Sequence, residues 1–180
     1  VPEEKKVYLA FNKPRGIVCT AEKREKNNVI DYLSYPVRIY PVGRLDKDSE
    51  GLLLMTNDGA IVNGIMRARN RHEKEYQVEV NKEITPEFLK KMASGVPILD
   101  TVTRPCRIRK TGERSFTIIL TQGLNRQIRR MCEALGYRVT KLKRVRIMNV
   151  HLKDLKTGEY RPLTEKELAE LKKQIGEEKR

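Results

Sequence analysis

Several absences narrow the class of protein to which this chain of 180 residues belongs. Its three cysteines, Cys19, Cys106 and Cys132, are odd in number and far apart. We therefore expect reduced thiols in a cytosolic protein and no disulfide framework. Apolar runs reach only about five residues, as at 7–11, whereas a membrane-spanning helix needs ~18. The opening residues Val-Pro-Glu-Glu-Lys-Lys do not have the pattern of a secretory signal.

Residue sets that bind metals and cofactors are also missing. The two histidines are far apart, and no Cys/His set has the spacing of a zinc site. The chain has no phosphate-binding glycine loop, no dinucleotide fingerprint and no Ser/His/Asp set. We therefore expect any reaction of this protein to need neither cofactor nor metal.

Acidic residues are few relative to basic ones. The chain has 38 Lys and Arg against 24 Asp and Glu, which gives a formal net charge of +14. An excess of this size predicts a polyanionic partner. No long basic amphipathic helix favours a membrane surface. Nucleic acid is therefore the expected partner, no membrane association is expected, and a monomer is the default state.

Tryptophan is absent, but the apolar residues fall in patterned runs that predict a folded domain. Because predicted strands dominate and helices are interspersed irregularly, we predict an α+β fold with a mixed, mainly antiparallel sheet in one domain over residues 1–180. The predicted strands are 7–11, 37–42, 51–56, 75–80, 104–110, 115–121 and 139–150. The predicted helices are 59–69, the stretch between Thr85 and Gly95, 125–135, and a last helix opened by a Thr164/Glu167 capping box.

Residues 42–59 carry the most informative pattern. Arg44 and Asp46 follow Gly43 and precede a wholly apolar run at 52–55. A buried strand that leads out of a charged loop can hold one side chain rigidly. The phosphates of a nucleic acid attract a basic protein but repel an acidic side chain. A catalytic role therefore explains the presence of Asp46 better than a contribution to nucleic-acid affinity does.

The acids of this loop have two other interpretations. Asp46, Asp48, Glu50 and Gly51 match the start of a calcium-binding loop, but the twelfth position is Asn57 instead of the bidentate Glu that such a loop requires. The residues after Gly51 are also typical of a strand, not of a helix. For Asp48 and Glu50 we favour ordinary solvated surface charges.

Two further segments are candidates for function. Residues 122–131 place Arg126, Arg129 and Arg130 at the start of a predicted helix, away from its apolar stripe. A helix start with arginines suits phosphate binding, although a solvated basic face is the ordinary alternative. Tyr76 lies in a predicted strand, where core packing with the hydroxyl at the edge is the simplest interpretation.

These motifs together resemble the pseudouridine synthases of the RsuA family, in family order and over nearly the whole chain. The stretches at 72–76, 92–99 and 146–150 are most similar to the RluF type, whose members act on large-subunit ribosomal RNA. Family members usually carry an N-terminal RNA-binding domain of the S4 type, so we expect this chain to be the catalytic domain without it. The matching motifs are 12–16, 43–46, 48–53, 56–59, 74–76 and 122–131.

The resemblance implies a pseudouridine synthase fold, a long sheet flanked by helices with a central RNA-binding cleft. It implies Asp46 as the catalytic carboxylate at C1′ of the target ribose, Arg129 as its ion-pair partner and Tyr76 as the residue that stacks on the uracil. Arg44 would fill the gap left by the flipped uridine. The remaining RNA-binding residues implied are Lys13, Arg15, Lys74, Asn125, Arg126, Gln127 and Arg130.

The implied function is isomerisation of a uridine to pseudouridine in a stem-loop of large-subunit (23S) ribosomal RNA, in the cytoplasm; transfer RNA stays open as a second substrate. Charge and composition alone would equally support a non-catalytic RNA-binding protein of the ribosome or of its assembly. A metal-dependent nuclease built on the acidic loop is a third alternative. The role of Asp46 separates the first two alternatives.

Overall fold

A computed structural model of the chain describes residues 5–178, which divide into two compact units. One unit combines the chain up to Ala68 with the chain from Met148 onward, and the other is the continuous segment Arg69–Ile147. The strands are β1 Tyr8–Lys13, β2 Tyr40–Val42, β3 Glu50–Thr56, β4 Lys74–Val80, β5 Pro97–Ile98, β6 Thr101–Val102, β7 Arg107–Gly112, β8 Ser115–Leu120, β9 Val139–Ile147, β10 Val150–His151 and β11 Tyr160–Pro162. The helices are α1 Val29–Leu33, α2 Gly59–Arg67, α3 Pro86–Ser94, α4 Gln127–Ala134 and α5 Glu165–Glu178.

The discontinuous unit is built around β3. In this unit β1 pairs antiparallel with both β3 and β11, and β2 also pairs antiparallel with β3. Phe11 of β1 lies opposite Leu53 of β3, and both belong to a buried apolar cluster. Helix α2 packs against β3, and α5 packs against α2. Because side chains on both faces of β3 are buried, its sequence is a continuous apolar run without alternation.

The continuous unit is an antiparallel sheet with helices on one face. Its strand order is β9-β4-β8-β7. Along β8 the burial alternates, and Phe116, Ile118 and Leu120 face the core. Met92 of α3 and Met131 of α4 are buried in the same apolar cluster. The antiparallel pairing confirms the predicted α+β class with a mainly antiparallel sheet. One isolated parallel bridge, between residues 18 and 28 of the discontinuous unit, lies outside the named strands.

The helix boundaries largely follow the predicted capping residues. The Thr85 hydroxyl accepts the amide N–H of Phe88, and α3 ends at Gly95, whose φ is 122°. The Thr164 hydroxyl accepts the Glu167 amide at 3.1 Å, and a Glu167 carboxylate oxygen accepts the Thr164 amide at 2.9 Å. The predicted capping box is therefore confirmed.

Several predicted boundaries are wrong by a few residues, and three of them have a cause in the backbone. The strand predicted at 37–42 is reduced to β2, because prolines before and within it leave few amide donors for a ladder. The strand predicted at 139–150 stops at Ile147, because Met148 has a φ of 54° and turns the chain. Helix α4 begins at Gln127 instead of residue 125, because Arg126 has a φ of 48° and cannot be part of the helix.

Candidate active site

The loop between β2 and β3 carries Asp46 and Arg44. Leu45 is 6% exposed and anchors the loop in the core, while Arg44 is exposed. The side chain of Asp46 is half-buried, and its backbone carbonyl accepts the amide N–H of Ser49 at 3.0 Å. A buried anchor and a closed turn therefore hold this carboxylate in place, as the sequence pattern predicts.

Lys13 connects this loop to the end of β1. Its side chain is fully buried, and its Nζ donates hydrogen bonds to the carbonyl oxygens of Pro14 at 2.9 Å and Ile17 at 2.8 Å. A longer bond of 3.5 Å reaches the carbonyl of Lys47, which also accepts the Gly16 amide N–H at 2.7 Å. The first motif is therefore bonded to the backbone directly after Asp46.

The burial of Lys13 bears on its predicted contact with RNA. Burial lowers the pKa of its ammonium group, and the nearby Cys19 thiol and the carboxylates of Asp48, Glu50 and Asp46 partly oppose that shift. The ammonium is enclosed and bonded to carbonyl groups, as a buried polar group requires. Its bonds tie the start of the first motif to the Asp46 loop, and its contact with RNA stays a prediction. Arg15 of the same motif is exposed to solvent.

Tyr76 lies in β4 on the same face as the core of the continuous unit. Its neighbours on the adjoining strands are Ile118 of β8 and Arg144 of β9. The tyrosine is half-buried and packs against the apolar cluster of this unit. This placement agrees with the interpretation of core packing, and stacking on a uracil stays a prediction.

The arginine motif leads into α4, and its side chains divide by burial. Arg126 is exposed. Arg130 donates from Nε to the carbonyl of Asn125 at 3.0 Å and from a terminal nitrogen to Asn125 Oδ1 at 2.9 Å. The exposed Arg126 and the bonded pair Asn125 and Arg130 therefore lie at or beside the N-terminal end of α4.

Gln127 and Arg129 are buried instead, at 5% and 7% exposure. Gln127 Oε1 accepts the Leu124 amide, and its Nε2 donates to Gln122 Oε1. The Gln127 amide group therefore caps the turn before α4, and its contact with RNA stays a prediction. Because Arg129 is buried, it is not part of the solvated basic face considered above as an alternative. A buried guanidinium requires compensating partners within the protein.

A group of basic side chains around Lys74 was missed from the sequence. Lys74 Nζ donates to the carbonyl of Arg69 at 2.6 Å, and Arg104 donates to the carbonyl of Asn70 at 2.6 Å. Burial, together with the positive charges of Arg144, Arg69 and Arg104, lowers the pKa of Lys74 to about 8. The alternation around residues 142–144 could have indicated that Arg144 faces inward, since Leu142 is a core residue two positions before it.

The described residues offer no candidate metal site, because no three His, Cys, Asp or Glu side chains between residues 5 and 178 are grouped to hold an ion. In the same part of the chain no helix has the length and apolar character needed to cross a bilayer.

The structure groups the predicted residues in two sets. Arg44, Asp46 and the first motif belong to the discontinuous unit, while Tyr76, Lys74 and the arginine motif belong to the continuous unit. The ion pair between Asp46 and Arg129 joins residues of different units and stays a prediction, as does the central RNA-binding cleft.

Comparison with known proteins identifies the family. The sequence profile of the RNA pseudouridylate synthase family matches residues 7–134. The chain is 56% identical over 169 residues to the dual-specificity RNA pseudouridine synthase RluF of Salmonella typhi, covering 94% of this chain and 58% of that protein. It is 36% identical over 180 residues to the ribosomal large subunit pseudouridine synthase B of Bacillus subtilis, covering 96% of this chain and 74% of that protein. The predicted similarity to the RluF type is thus confirmed.

Solved structures agree with the sequence comparison. A crystal structure of a pseudouridylate synthase superposes with a TM-score of 0.86 at 30% identity, covering 94% of this chain and 75% of that one. An archaeal box H/ACA Nop10-Cbf5 complex shares the fold with a TM-score of 0.55 at 17% identity. The chain spans less than two thirds of the length of the curated RluF proteins it matches. On the combined sequence and structural agreement, this chain belongs to the RNA pseudouridylate synthase family.

Proposed function

We propose that this protein isomerises uridine to pseudouridine in large-subunit ribosomal RNA and acts in the cytoplasm as a monomer. The observation that carries the proposal is the half-buried Asp46 on a loop held by the buried Leu45 and by the bonds from Lys13 and Gly16. The 56% identity to an RNA pseudouridine synthase supports the same activity. The net charge of +14 supports RNA as the substrate.

In the proposed reaction Asp46 acts at C1′ of the target ribose. The bond between C1′ and N1 breaks, the uracil turns within the site, and a bond forms between C5 and C1′. The proton lost from C5 is balanced by the proton gained at N1, so the reaction is an isomerisation that needs no oxidant or cofactor. A carboxylate suits this step because it can bond to, or stabilise, an oxocarbenium-like C1′.

The other residues have binding and positioning roles in this proposal. Tyr76 stacks on the uracil, and Arg129 forms an ion pair with Asp46 that keeps the carboxylate ionised. Arg44 fills the gap that the flipped uridine leaves, because a planar guanidinium stacks well between bases. Arg15, Lys74, Asn125, Arg126 and Arg130 contact the RNA backbone.

The proposal is tested by tritium release from C5-tritiated uridine in large-subunit ribosomal RNA transcripts. Asp46→Asn is expected to abolish release while changing RNA affinity less than about threefold, because the lost group is chemical and an anion does not help to bind RNA. Asp48→Asn is the matched control: it removes the same charge two residues away and is expected to keep release within about threefold of the wild type.

Two outcomes would contradict the proposal. Equal release by wild type and Asp46→Asn would remove Asp46 from the chemistry. RNA binding by wild type without release from any transcript would favour the alternative of a non-catalytic RNA-binding protein.

A further inference from the structure

Basic side chains converge on a two-residue segment before β4 in the continuous unit. The segment consists of Arg69 and Asn70. Lys74 Nζ donates to the Arg69 carbonyl and Arg104 donates to the Asn70 carbonyl, each at 2.6 Å. These bonds fix the ammonium and the guanidinium groups on neighbouring carbonyls, while Arg69 and Arg104 are both exposed. The three cations Arg69, Lys74 and Arg104 are hereafter called the basic cluster.

A glycine turn closes one side of the basic cluster. The Gly123 amide N–H donates to Asn70 Oδ1 at 3.3 Å. A Cβ built on Gly123 would lie 3.5 Å from Lys74 Nζ and 3.9 Å from Asn70 Oδ1. The Gln122 side chain accepts the Arg104 amide N–H at 3.0 Å. The turn before α4 therefore packs directly on the basic cluster.

The basic cluster differs in its charge balance from Arg107 and Arg146 of the same unit. Arg107 contacts Glu73 at 2.5 Å, and Arg146 contacts Glu73 and Glu75, each at 3.1 Å. The neighbours that act on Lys74 are instead Arg144, Arg69 and Arg104, all of them cations. Cations held together in this way repel one another, and an anion placed among them relieves that repulsion.

The basic cluster lies beside Tyr76. Lys74 and Tyr76 pair with Leu120 and Ile118 of β8, so their side chains lie on the same face of β4. Two residues along a strand span about 7 Å, which is within the length of one nucleotide. A base stacked on Tyr76 would therefore place a neighbouring phosphate within reach of Lys74.

We propose that the basic cluster is a phosphate-binding site for the RNA backbone next to the nucleotide that stacks on Tyr76. This inference rests on the proposed function for the identity of the ligand as RNA. Arg69 and Arg104 are new binding residues under this proposal, and both lie outside the motifs that carry the family resemblance. Arginine suits the role because its planar fork can bond two phosphate oxygens at once.

The salt dependence of RNA binding tests the charge of Arg104. The probe is a large-subunit ribosomal RNA transcript, with affinity measured by filter binding between about 50 and 200 mM salt. Arg104→Gln is expected to reduce the slope of log affinity against log salt by roughly 0.7 to 0.9, the value for one lost phosphate contact. Arg109→Gln is the control, because Arg109 is exposed on β7 opposite Thr117 and outside the basic cluster.

A second variant separates charge from folding. Arg104→Lys keeps the charge but not the guanidinium geometry, so it should retain the wild-type slope. If Arg104→Lys loses as much slope as Arg104→Gln, the bond to Asn70 is responsible and the proposal is wrong. Equal slopes for Arg104→Gln and Arg109→Gln would overturn it as well, and so would a wild-type protein with no affinity for the transcript.

The pH dependence of binding tests Lys74. In the free protein the pKa of Lys74 is about 8, so above this pH its side chain is largely uncharged. Phosphate favours the charged ammonium, so Lys74 takes up a proton when RNA binds at higher pH. Affinity should therefore fall by up to tenfold per pH unit above pH 8. Lys74→Arg stays charged in this pH range, so its affinity should not fall for this reason. Titration of the RNA bases affects both proteins equally, so the difference between the two pH profiles reports Lys74 alone. Identical pH profiles would overturn the role of Lys74.

These readouts are distinct from those of the proposed function. Slope and pH effects without tritium release would retain the phosphate site and refute the isomerase. Tritium release by the wild type together with an unchanged salt slope for Arg104→Gln would support the isomerase and refute the phosphate site.

Discussion

Replacing Lys13 by Met tests the positioning of the Asp46 loop. Methionine has a similar length and volume, so the change removes the ammonium without opening a large cavity. Each charge-assisted bond to Pro14 and Ile17, at 2.9 and 2.8 Å, stabilises the fold by roughly 1.5–3 kcal/mol. Removing the buried charge also removes its unfavourable desolvation free energy in the folded state, which partly offsets the lost bonds. We expect a net loss of about 3 kcal/mol in the free energy of unfolding.

Urea unfolding followed by far-UV circular dichroism measures this loss, since the chain contains no tryptophan. Lys47→Met is the control, because it keeps the backbone carbonyl that Lys13 contacts and alters only an exposed side chain. Under conditions where Lys13→Met stays folded, tritium release should fall while RNA affinity changes little, since Lys13 acts through the loop. A Lys13→Met protein as stable and active as Lys47→Met would refute this reasoning.

Two further predictions concern α5. The Arg161 hydrogen bonds hold the pKa of Glu167 at about 2 against an ordinary 4.5, so this stabilisation is present above pH 4.5 and is lost as pH falls toward 2. Glu167→Gln should therefore cost roughly 2 kcal/mol at pH 7 and almost nothing near pH 2 in urea unfolding, while the exposed Glu165→Gln should cost under about 1 kcal/mol. Gly64→Ala brings a Cβ into overlap with Ile175 Cγ2 and should lower the free energy of unfolding by about 1–3 kcal/mol, partly restored by adding Ile175→Leu, which has no Cγ2; a stabilised Gly64→Ala would contradict the contact.

Local signals in the sequence predict much of the fold. The Thr164/Glu167 capping box and the Thr85 cap depend on contacts within three residues, so they are visible in the chain itself. The buried run at 52–55 likewise predicts β3 by composition alone. Boundaries set by a positive φ at Arg126 or Met148 are missed because neither residue is typical of that conformation.

The site is less predictable, because burial of polar side chains depends on distant partners. Lys13 and Gln127 were assigned to RNA by their chemistry, and no pattern indicates that carbonyl groups or a turn enclose them. Arg104 was missed because it lies about 30 residues from Lys74, and only the tertiary fold brings both to one segment. Motif resemblance therefore finds the residue types of the site, and the structure divides them into those that position and those that are open to ligand.

The discontinuous unit constrains the order in which the protein folds during synthesis. Strand β1 pairs with β11, so this sheet needs segments from opposite ends of the chain. Because synthesis runs from the N-terminus, the segment Arg69–Ile147 leaves the ribosome before Tyr160 does. Pairings of such long sequence separation also form slowly. The pairing of β11 with β1 is therefore among the last to form, so a chain that ends before β11 would contain every strand of the sheet with Tyr76 but lack one strand of the unit that holds Asp46.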